Sequence, residues 1–375
     1  MHNLNAVLDT IRTHGELSKA RICELTGLSA ATVNRLLKLL ADQGYVEQAG
    51  LEASSGGRPP VIVRIAARAV LTGAVQAHAD RVIGAIVGFD GIIIERIERE
   101  VGTLSRGAGL TTLRATIAEL VSSAEPLGTP LRSVGVSIAG IPDEDGLISG
   151  LERPRWTDLT IEQITEGFSL PVIIENDANA LAIGELYRGV GLHAAHFVAL
   201  VLDRGLGSGV IANGALYRGA RSSAGEVGYL LLGSDSLSRG LLDRGELEAI
   251  LEPATVTRRA LAAGVIRGGE ITAPAVIALA ADGDLKAFEL AEQVIDGLAR
   301  AVAALSSILD PEVVILGPGL DHRADVIVSA LHRRLVGRIQ AVPDIRTATL
   351  GTDAVLLGAA EMALRHFGGL VSENS

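Results

Sequence analysis

Short apolar runs that alternate with helical stretches, with glycine-rich turns between them, constrain the fold of this chain most strongly. The pattern begins near residue 69, where three runs follow one another: Ala69–Val75, Arg81–Val87 and Gly91–Ile97. Apolar runs of this length, bounded by turn residues such as Asp90-Gly91, are typical of β-strands. Three strands followed by alternating helices and strands predict an α/β fold.

The rest of the chain continues this alternation. We expect further strands at Leu131–Ile138, Pro171–Ile174, Phe197–Leu202, Gly209–Ala212 and Val313–Leu316. Helices are predicted at Ala108–Ser123, Ala178–Tyr187, Arg239–Ile250, Lys286–Ile308 and Ala354–Arg365. The glycine-rich turns fall at strand ends, which is where α/β folds bind their ligands.

Composition narrows the class of protein. With 375 residues, of which 48% are hydrophobic, the chain can bury a large core in more than one domain. No apolar run approaches the ~20 residues of a membrane helix, and Met1–Thr10 does not have the pattern of a secretory signal. Cys23 is the only cysteine, which excludes an intramolecular disulfide and a cysteine-based zinc site. We therefore expect a cytoplasmic protein without a metal or cofactor.

Charge is distributed unevenly along the chain. The net charge is −11, but residues 1–68 carry 8 basic and 6 acidic side chains, a net charge of +2. The remaining residues carry 25 basic and 38 acidic side chains, a net charge of −13. A mildly basic N-terminal segment on an acidic body is typical of a protein that contacts DNA at one end only.

The N-terminal segment has the pattern of a helix-turn-helix. An amphipathic first helix is predicted from the spacing of Leu4, Val7, Leu8 and Ile11. A short helix over Ser18–Thr26 follows and ends at Gly27. Ser29 is a favourable N-cap for a third helix from Ala30 to about Gln43. In the helix-turn-helix arrangement this last helix enters the major groove of DNA.

The polar face of the third helix supplies the candidate DNA contacts. Small Ser29 and Ala31 allow close approach, and Thr32 and Asn34 can form hydrogen bonds. Arg35 and Lys38 can reach bases or phosphates. The alternative is a helical module for protein contacts, in which this face is only solvated.

A two-stranded wing is predicted next. Tyr45-Val46-Glu47 leads to a Gly-rich tip over residues 54–60, and Val61, Val63 and Ile65 then alternate in the manner of a strand. Arg58 at the tip could enter a narrow minor groove.

A series of motifs spread along the whole chain resembles the ROK family (repressors, open reading frames and kinases), and its regulator branch in particular. The matching segments are Gly56–Pro59, Phe89–Gly91, Gly135–Gly140, Pro171–Ala180, Gly205–Gly209, Ala224–Gly228, Gly245–Ala249 and Leu316–Gly319. The resemblance implies an actin-like, two-lobed sugar-kinase fold with a sugar between the lobes. It places a winged helix-turn-helix domain at 1–68 and a sensing domain at 69–375, with lobe one at about 69–190 plus 352–375 and lobe two at about 191–351.

The same resemblance implies which residues would bind the sugar. Asn176, Asp177, Glu226 and Glu248 fall at the family's sugar contacts, and carboxylates with an amide suit vicinal hydroxyl donors. Tyr229 stands where the family has a histidine, and could donate its hydroxyl to the effector or only pack. Other interpretations remain open: Asn176-Asp177 could cap a helix, Glu226 could be a solvated turn residue, and Glu248 could be exposed on a helix.

The chain departs from the family pattern at its nucleotide elements. The first phosphate loop reads Gln76-Ala77-His78-Ala79-Asp80, where kinases of the family have an acidic residue, glycines and a threonine. The second begins Asp203-Arg204-Gly205 in place of Gly-Thr-Gly, and a third glycine run has become Gly317-Pro318-Gly319. Side chains in such loops obstruct the backbone amides that hold phosphate. ATP use is therefore not expected, although Asp177, the family's general base, is present.

The zinc site of the family is also missing. In the family, a histidine and three cysteines bind the zinc ion. In this chain Tyr229 stands in place of the histidine, and no cysteine follows it. Ala139 stands where the family usually has proline, so the identity of the sugar stays open.

Three functions remain to be distinguished. The first is a sugar-responsive repressor that binds a double-stranded DNA operator as a homodimer or homotetramer. The second is a sugar kinase with an attached DNA-binding domain, and the third is a DNA-binding dimer without an effector.

Overall fold

The described part of the structure, a computed structural model, comprises residues 2–51, 61–102, 107–142, 146–149, 156, 159–202, 204–238 and 245–366. Its helices are α1 (His2–His14), α2 (Lys19–Thr26), α3 (Ala30–Asp42), α4 (Ala108–Ala124), α5 (Ile161–Thr165), α6 (Asp177–Arg188), α7 (Glu246–Leu251), α8 (Pro253–Ala262), α9 (Ala273–Ala281), α10 (Leu285–Leu309), α11 (Ala324–Leu335) and α12 (Ala354–Arg365). Its strands are β1 (Leu17–Ser18), β2 (Val46–Leu51), β3 (Val61–Ile65), β4 (Leu71–Ala77), β5 (Arg81–Gly88), β6 (Ile93–Glu100), β7 (Leu131–Ile138), β8 (Ile141–Pro142), β9 (Ile148–Ser149), β10 (Val172–Asn176), β11 (Phe197–Leu202), β12 (Leu206–Ala212), β13 (Ala215–Leu216), β14 (Val313–Leu316) and β15 (Asp344–Thr347).

The chain divides into two units. Unit 1 contains Met1–Ile138, Glu152–Ile174 and Ala359–Ser375, and unit 2 contains Ala139–Leu151 and Glu175–Gly358. The predicted winged-helix segment, residues 1–68, is part of unit 1. The bounds that we predicted for two lobes stay a prediction.

The first three helices pack as the apolar spacing predicts. Leu4, Val7, Leu8 and Ile11 of α1 are all buried. The left-handed backbone of Gly27 (φ 68°) ends α2, and its N–H donates to the carbonyl of Cys23. Strands β1, β3 and β2 form a small sheet, in which β2 and β3 are antiparallel. The predicted three helices and wing strands are therefore confirmed.

A five-stranded sheet forms the centre of unit 1, in the order β10-β7-β4-β5-β6. Strand β4 is parallel to β7 and antiparallel to β5. Every residue of β4 is buried, whereas β6 exposes most of its charged residues at the sheet edge. An edge strand with charged side chains resists pairing with another chain.

Unit 2 repeats this arrangement. Its sheet has the order β13-β12-β11-β14-β15, in which β11 pairs antiparallel with β12 and parallel with β14. In each sheet, three consecutive strands are antiparallel (β4-β5-β6 and β11-β12-β13). Two later strands lie on the other side of the first of these, β7 and β10 beside β4, and β14 and β15 beside β11. Helices cover both sheets, which confirms the mixed α/β class.

Close helix packing in unit 2 requires glycine at two positions. A β-carbon on Gly184 of α6 would be 2.6 Å from the carbonyl oxygen of Ala354, and one on Gly358 of α12 would be 1.7 Å from that of Ala180. Without side chains at these glycines, the first turn of α12 lies directly against α6. Within the described part of the chain, no helix is both long and apolar enough to cross a membrane.

Candidate functional site

Helix α3 begins with the predicted serine cap. The Ser29 side chain accepts a hydrogen bond from the Thr32 N–H at 3.3 Å, and the two hydroxyl oxygens are 2.9 Å apart. A serine N-cap satisfies one of the amides that a helix start leaves without a partner. Ser29 and Thr32 thus have a structural role at the start of α3, in addition to the DNA contact predicted for them.

The two faces of α3 differ as the helical period requires. Its buried side contains Val33, Leu36, Leu37 and Leu40. Its outer side exposes Ala31, Asn34, Arg35 and Lys38. No carboxylate among the described residues forms an ion pair with Arg35 or Lys38, whereas Arg21 of α2 pairs with Glu24 at 2.6 Å. The guanidinium and ammonium groups of α3 are therefore accessible to an anionic partner such as a DNA phosphate.

The wing is described only at its base. Strands β2 and β3 pair from Val46 with Ile65 to Leu51 with Val61. Arg58 lies outside the described residues, so its minor-groove contact stays a prediction.

Asn176 and Asp177 stand where β10 ends and α6 begins. Asn176 is the N-cap: its Oδ1 accepts from the N–H groups of Ala178 and Asn179, at 2.9 and 3.3 Å. Its Nδ2 donates to the carbonyl oxygen of Gly140 at 3.4 Å. The helix-capping interpretation of Asn176 is therefore correct, and an effector contact would have to use its second amide proton.

Glu175, which sequence reasoning did not select, holds this segment in place. Its side chain is buried and accepts from the backbone N–H of Asn176 and from Nδ2 of Asn179. Its other oxygen accepts from Nε and Nη2 of Arg218, at 3.1 and 2.7 Å. A buried carboxylate with this many donors fixes the start of α6 and hence the backbone at Asp177. Its position directly before Asn176-Asp177 was the available signal.

Alternate glycines leave space at the beginning of β12. A β-carbon on Gly205 would be 2.3 Å from Oε1 of Glu248, and one on Gly207 would be 3.8 Å from Oδ1 of Asp177. Gly205 lies in the turn before β12, and Gly207 is the second residue of the strand. Glu248 of α7 and Asp177 of α6 therefore both approach the beginning of β12.

Glu226 completes what we call the carboxylate cluster (Asp177, Glu226 and Glu248). Glu226 precedes a short 3-10 helix, Val227–Tyr229. Glu248 approaches that helix as well, since a β-carbon on Gly228 would be 3.1 Å from Cβ of Glu248. All three carboxylates are partly buried. The interpretations of Glu226 as a solvated turn residue and of Glu248 as an exposed helix position are therefore wrong.

The proximity of the three carboxylates changes the acidity of Glu226. The pKa of Glu226 is raised from 4.5 to about 7, first by burial of the carboxylate and then by the negative charges of Glu248 and Asp177. Both causes act on the charged form, which is less well solvated and is repelled by its neighbours. At neutral pH the Glu226 side chain can therefore either donate or accept a hydrogen bond, a useful property opposite sugar hydroxyls.

Tyr229 lies at the end of the same 3-10 helix, and the residue is 43% exposed. A β-carbon on Gly245 would meet its α-carbon at 2.5 Å, so the start of α7 packs on the Tyr229 backbone. The ring is accessible, and its effector contact stays a prediction.

The segment predicted to correspond to the family's first phosphate loop is a tight turn in unit 1. Gln76 is a buried residue of β4, and the turn closes with a hydrogen bond from the His78 N–H to the Arg81 carbonyl. Trp156, which is 3% exposed, donates its indole N–H to the carbonyl oxygen of Ala79 at 3.4 Å. The turn is thus held by protein side chains and backbone.

The second phosphate loop and the third glycine run lie in unit 2. Arg204 pairs with Glu270 at 2.9 Å, and Asp203 lies outside the described residues. Gly319 has a left-handed backbone (φ 89°), and a β-carbon there would be 1.9 Å from the Leu202 carbonyl oxygen. This glycine is therefore required by packing as well as by the family motif. Among the described residues, no three histidine, cysteine or carboxylate side chains gather as metal ligands would.

Family comparison agrees with this geometry. Residues 73–366 match the model of the ROK family, which is more than three quarters of the chain. The chain belongs to the ROK family. Residues 6–58 of this ROK protein match the MarR family as well, in agreement with the helix-turn-helix and wing.

Relatives of this ROK protein include regulators and kinases. The xylose repressor of Bacillus subtilis strain 168 is 23% identical over 374 residues, 97% of this chain and 95% of that protein. The glucokinase of Thermotoga maritima is 28% identical over 302 residues, 76% of this chain and 94% of the enzyme. A crystal structure of a ROK-family transcriptional regulator, homologous to the Escherichia coli MLC protein, has a TM-score of 0.74 at 20% identity. The alignment covers 98% of this chain and 96% of the regulator's chain, and it confirms the fold.

Proposed function

We propose that this chain is a sugar-responsive transcriptional regulator of the repressor type. It binds a DNA operator through α3 and a small polyhydroxylated effector through the carboxylate cluster. The observation that carries the proposal is the occurrence, in one chain, of an exposed basic helix on a winged helix-turn-helix and of three carboxylates around glycines of a sugar-kinase fold.

The DNA-binding half rests on the outer face of α3. Asn34, Arg35 and Lys38 are exposed at intervals that place them on the outer side of the helix. Side chains near the start of a recognition helix reach base edges, and basic groups farther along contact phosphates. Two such helices in a homodimer or homotetramer would bind half-sites about one helical turn apart, roughly 34–36 Å.

The effector half rests on the carboxylate cluster. Sugar hydroxyls donate to carboxylates, and each buried hydrogen bond to a charged group contributes about 1.5–3 kcal/mol. Such donors would also relieve the repulsion that raises the pKa of Glu226. Because several relatives are named xylose repressors, xylose is the first sugar to test.

Loss of kinase activity is part of the proposal. Gln76, as an uncharged amide, cannot supply the acidic magnesium ligand, and Arg204, which pairs with Glu270, stands where the family has threonine. A general base without a phosphoryl donor and magnesium cannot complete phosphoryl transfer. The alternative, an active kinase, is supported by the glucokinase relative.

The test has two stages. Operator selection from random DNA identifies the site, and calorimetric titration with xylose, glucose, N-acetylglucosamine and their phosphates identifies the effector. Asp177→Ala should abolish effector binding, whereas Asp235→Ala, which removes an exposed carboxylate of unit 2, should not. Absence of binding across the panel, or unchanged affinity of Asp177→Ala, would contradict the sensing role. Absence of a sequence-specific site would contradict the regulator role.

A further inference from the structure

Among the residues that the structure describes, the most deeply buried ion pair of unit 1 joins α1 of the winged-helix segment to α12. Arg12 of α1 and Glu361 of α12 expose 4% and 2% of their side chains. Nη2 and Nη1 of Arg12 donate to Oε1 and Oε2 of Glu361, at 2.5 and 3.2 Å. Nε of Arg12 donates to the carbonyl oxygen of Phe89 at 2.7 Å. All three contacts are formed by one planar guanidinium.

Two more charged side chains extend this pair into what we call the Arg12 network (Asp9, Arg12, Glu361 and Arg365). Nε of Arg365 donates to Oε2 of Glu361 at 2.9 Å, and Nη2 of Arg365 donates to Oδ1 of Asp9 at 2.5 Å. Asp9 and Arg12 are three residues apart on α1, and Glu361 and Arg365 are four apart on α12. Each helix therefore presents one acid and one base to the other on a single face.

Apolar packing around the network also reaches the DNA-binding helix. Leu364 of α12, Val70 and Phe89 belong to the same buried cluster as the core of the winged helix. The ring of Phe89 lies 5.3 Å from the guanidinium of Arg12 and 5.7 Å from the ring of Tyr45. Tyr45 lies three residues after the end of α3, and its N–H donates to the Leu40 carbonyl of that helix. The winged helix thus contacts the rest of unit 1 at α1 and again just after the end of α3.

A buried ion pair is a poor source of stability but a good source of geometric specificity. Desolvation offsets most of the attraction between the charges, so an apolar contact of equal volume could stabilise the fold as well. An apolar contact, however, tolerates sliding of one helix on another. A bidentate guanidinium–carboxylate pair is satisfied in one register only.

We propose that Arg12 and Glu361 are positioning residues, which fix the orientation of α3 and thereby restrict the protein to operators with one spacing between half-sites. This inference rests on the proposed function, since it requires a regulator with two winged helices. Free rotation of each winged helix would let a dimer follow displaced half-sites, and the Arg12 network prevents that rotation.

The experiment measures operator binding as the distance between half-sites changes. Gel-shift titrations use the selected operator and versions with 2, 5 and 10 added base pairs, since about 5 base pairs turn one half-site to the opposite face of the DNA. The wild type should lose at least tenfold in affinity for the operator with 5 added base pairs. The double variant Arg12→Met/Glu361→Leu removes both charges of this pair. Its affinity for the operator with 5 added base pairs should fall less than threefold below its affinity for the selected operator.

Two further variants separate positioning from stability. Arg99→Met/Glu119→Leu removes a partly exposed pair in unit 1 and should keep the wild-type dependence on spacing. Arg12→Lys keeps the charge without the bidentate geometry. On the operator with 5 added base pairs, its loss of affinity should lie between that of the wild type and that of the double variant. A wild-type spacing profile in both Arg12→Lys and the double variant would overturn the proposal. Failure of the wild type to bind any specific site would instead contradict the proposed function.

Discussion

The carboxylate of Glu248 occupies the space that a side chain at position 205 would need: a β-carbon on Gly205 would lie 2.3 Å from Oε1 of Glu248. Gly205 lies in the turn before β12 and Glu248 lies on α7, and the contact brings Glu248 toward the beginning of β12, which Asp177 also approaches. Glycine at this position is therefore tied to the place of an acidic side chain, and not to an unusual backbone conformation.

Gly205→Ala should weaken effector binding with little change in stability. The atom displaced is the end of a flexible side chain, so Glu248 can move away at small cost. Moving it forfeits a hydrogen bond to a charged group, about 1.5–3 kcal/mol, which corresponds to roughly 10–100-fold in affinity. Calorimetry and urea unfolding measure the two effects. Gly268→Ala, at which a β-carbon would meet nothing within 4 Å, is the matched control and should change neither.

Glu226 should make the fold less stable as the pH rises. Its pKa is about 7 in the folded protein and 4.5 ordinarily, so the folded state holds this proton more tightly. The contribution to the free energy of unfolding is complete below about pH 4.5 and is lost as the pH rises through about 7. Glu226→Gln should remove this dependence between pH 5 and 8. The free energy of unfolding is measured with urea at each pH. The same pH dependence in wild type and variant would contradict the raised pKa of Glu226.

Arg35→Ala should weaken specific operator binding by about 1–3 kcal/mol if Arg35 contacts a base. The reduction should be much smaller on random DNA, where only phosphate contacts count. Arg333→Ala removes an equal charge from an exposed position of α11 and controls for net charge. An equal loss on specific and random DNA would assign Arg35 to the phosphate backbone instead.

Purified protein should not phosphorylate sugars with ATP. The first phosphate loop contains a buried glutamine in place of the expected acid, and Arg204 of the second is paired with Glu270. A coupled assay over hexoses, pentoses and amino sugars tests this. Turnover on any of them that disappears in Asp177→Asn would show that the catalytic machinery is intact.

Much of this architecture follows from local sequence patterns. The apolar spacing of α1, the serine cap of α3 and the bounds of α12 are all as predicted, because each depends on neighbours within a turn or two of helix. Helices α8, α9 and α11 were not predicted. Their apolar residues mostly face one large core in unit 2. Helix α9 is almost entirely apolar and lacks a helical period, whereas α8 and α11 are amphipathic and were overlooked.

Contacts between distant parts of the chain were beyond such reasoning. Arg12 and Glu361 are 349 residues apart. Each adjoins buried apolar residues in sequence, Ile11 and Met362, but nothing local indicates that the two side chains meet. The raised pKa of Glu226 likewise depends on two carboxylates from other elements. The resemblance to the ROK family named Asp177, Glu226 and Glu248 together. The way in which glycines of β12 and of the 3-10 helix admit them is visible only in the fold.

Trp156 is the only tryptophan in the chain, and it is buried with its indole on Gly109 and its N–H on the Ala79 carbonyl. An indole in apolar surroundings emits at shorter wavelength than one in water, and here no second indole overlaps the signal. The protein therefore has a built-in fluorescent reporter at the turn between β4 and β5. Any ligand or variant that opens this turn should shift the emission of Trp156 to longer wavelength, and no attached label is needed to observe it.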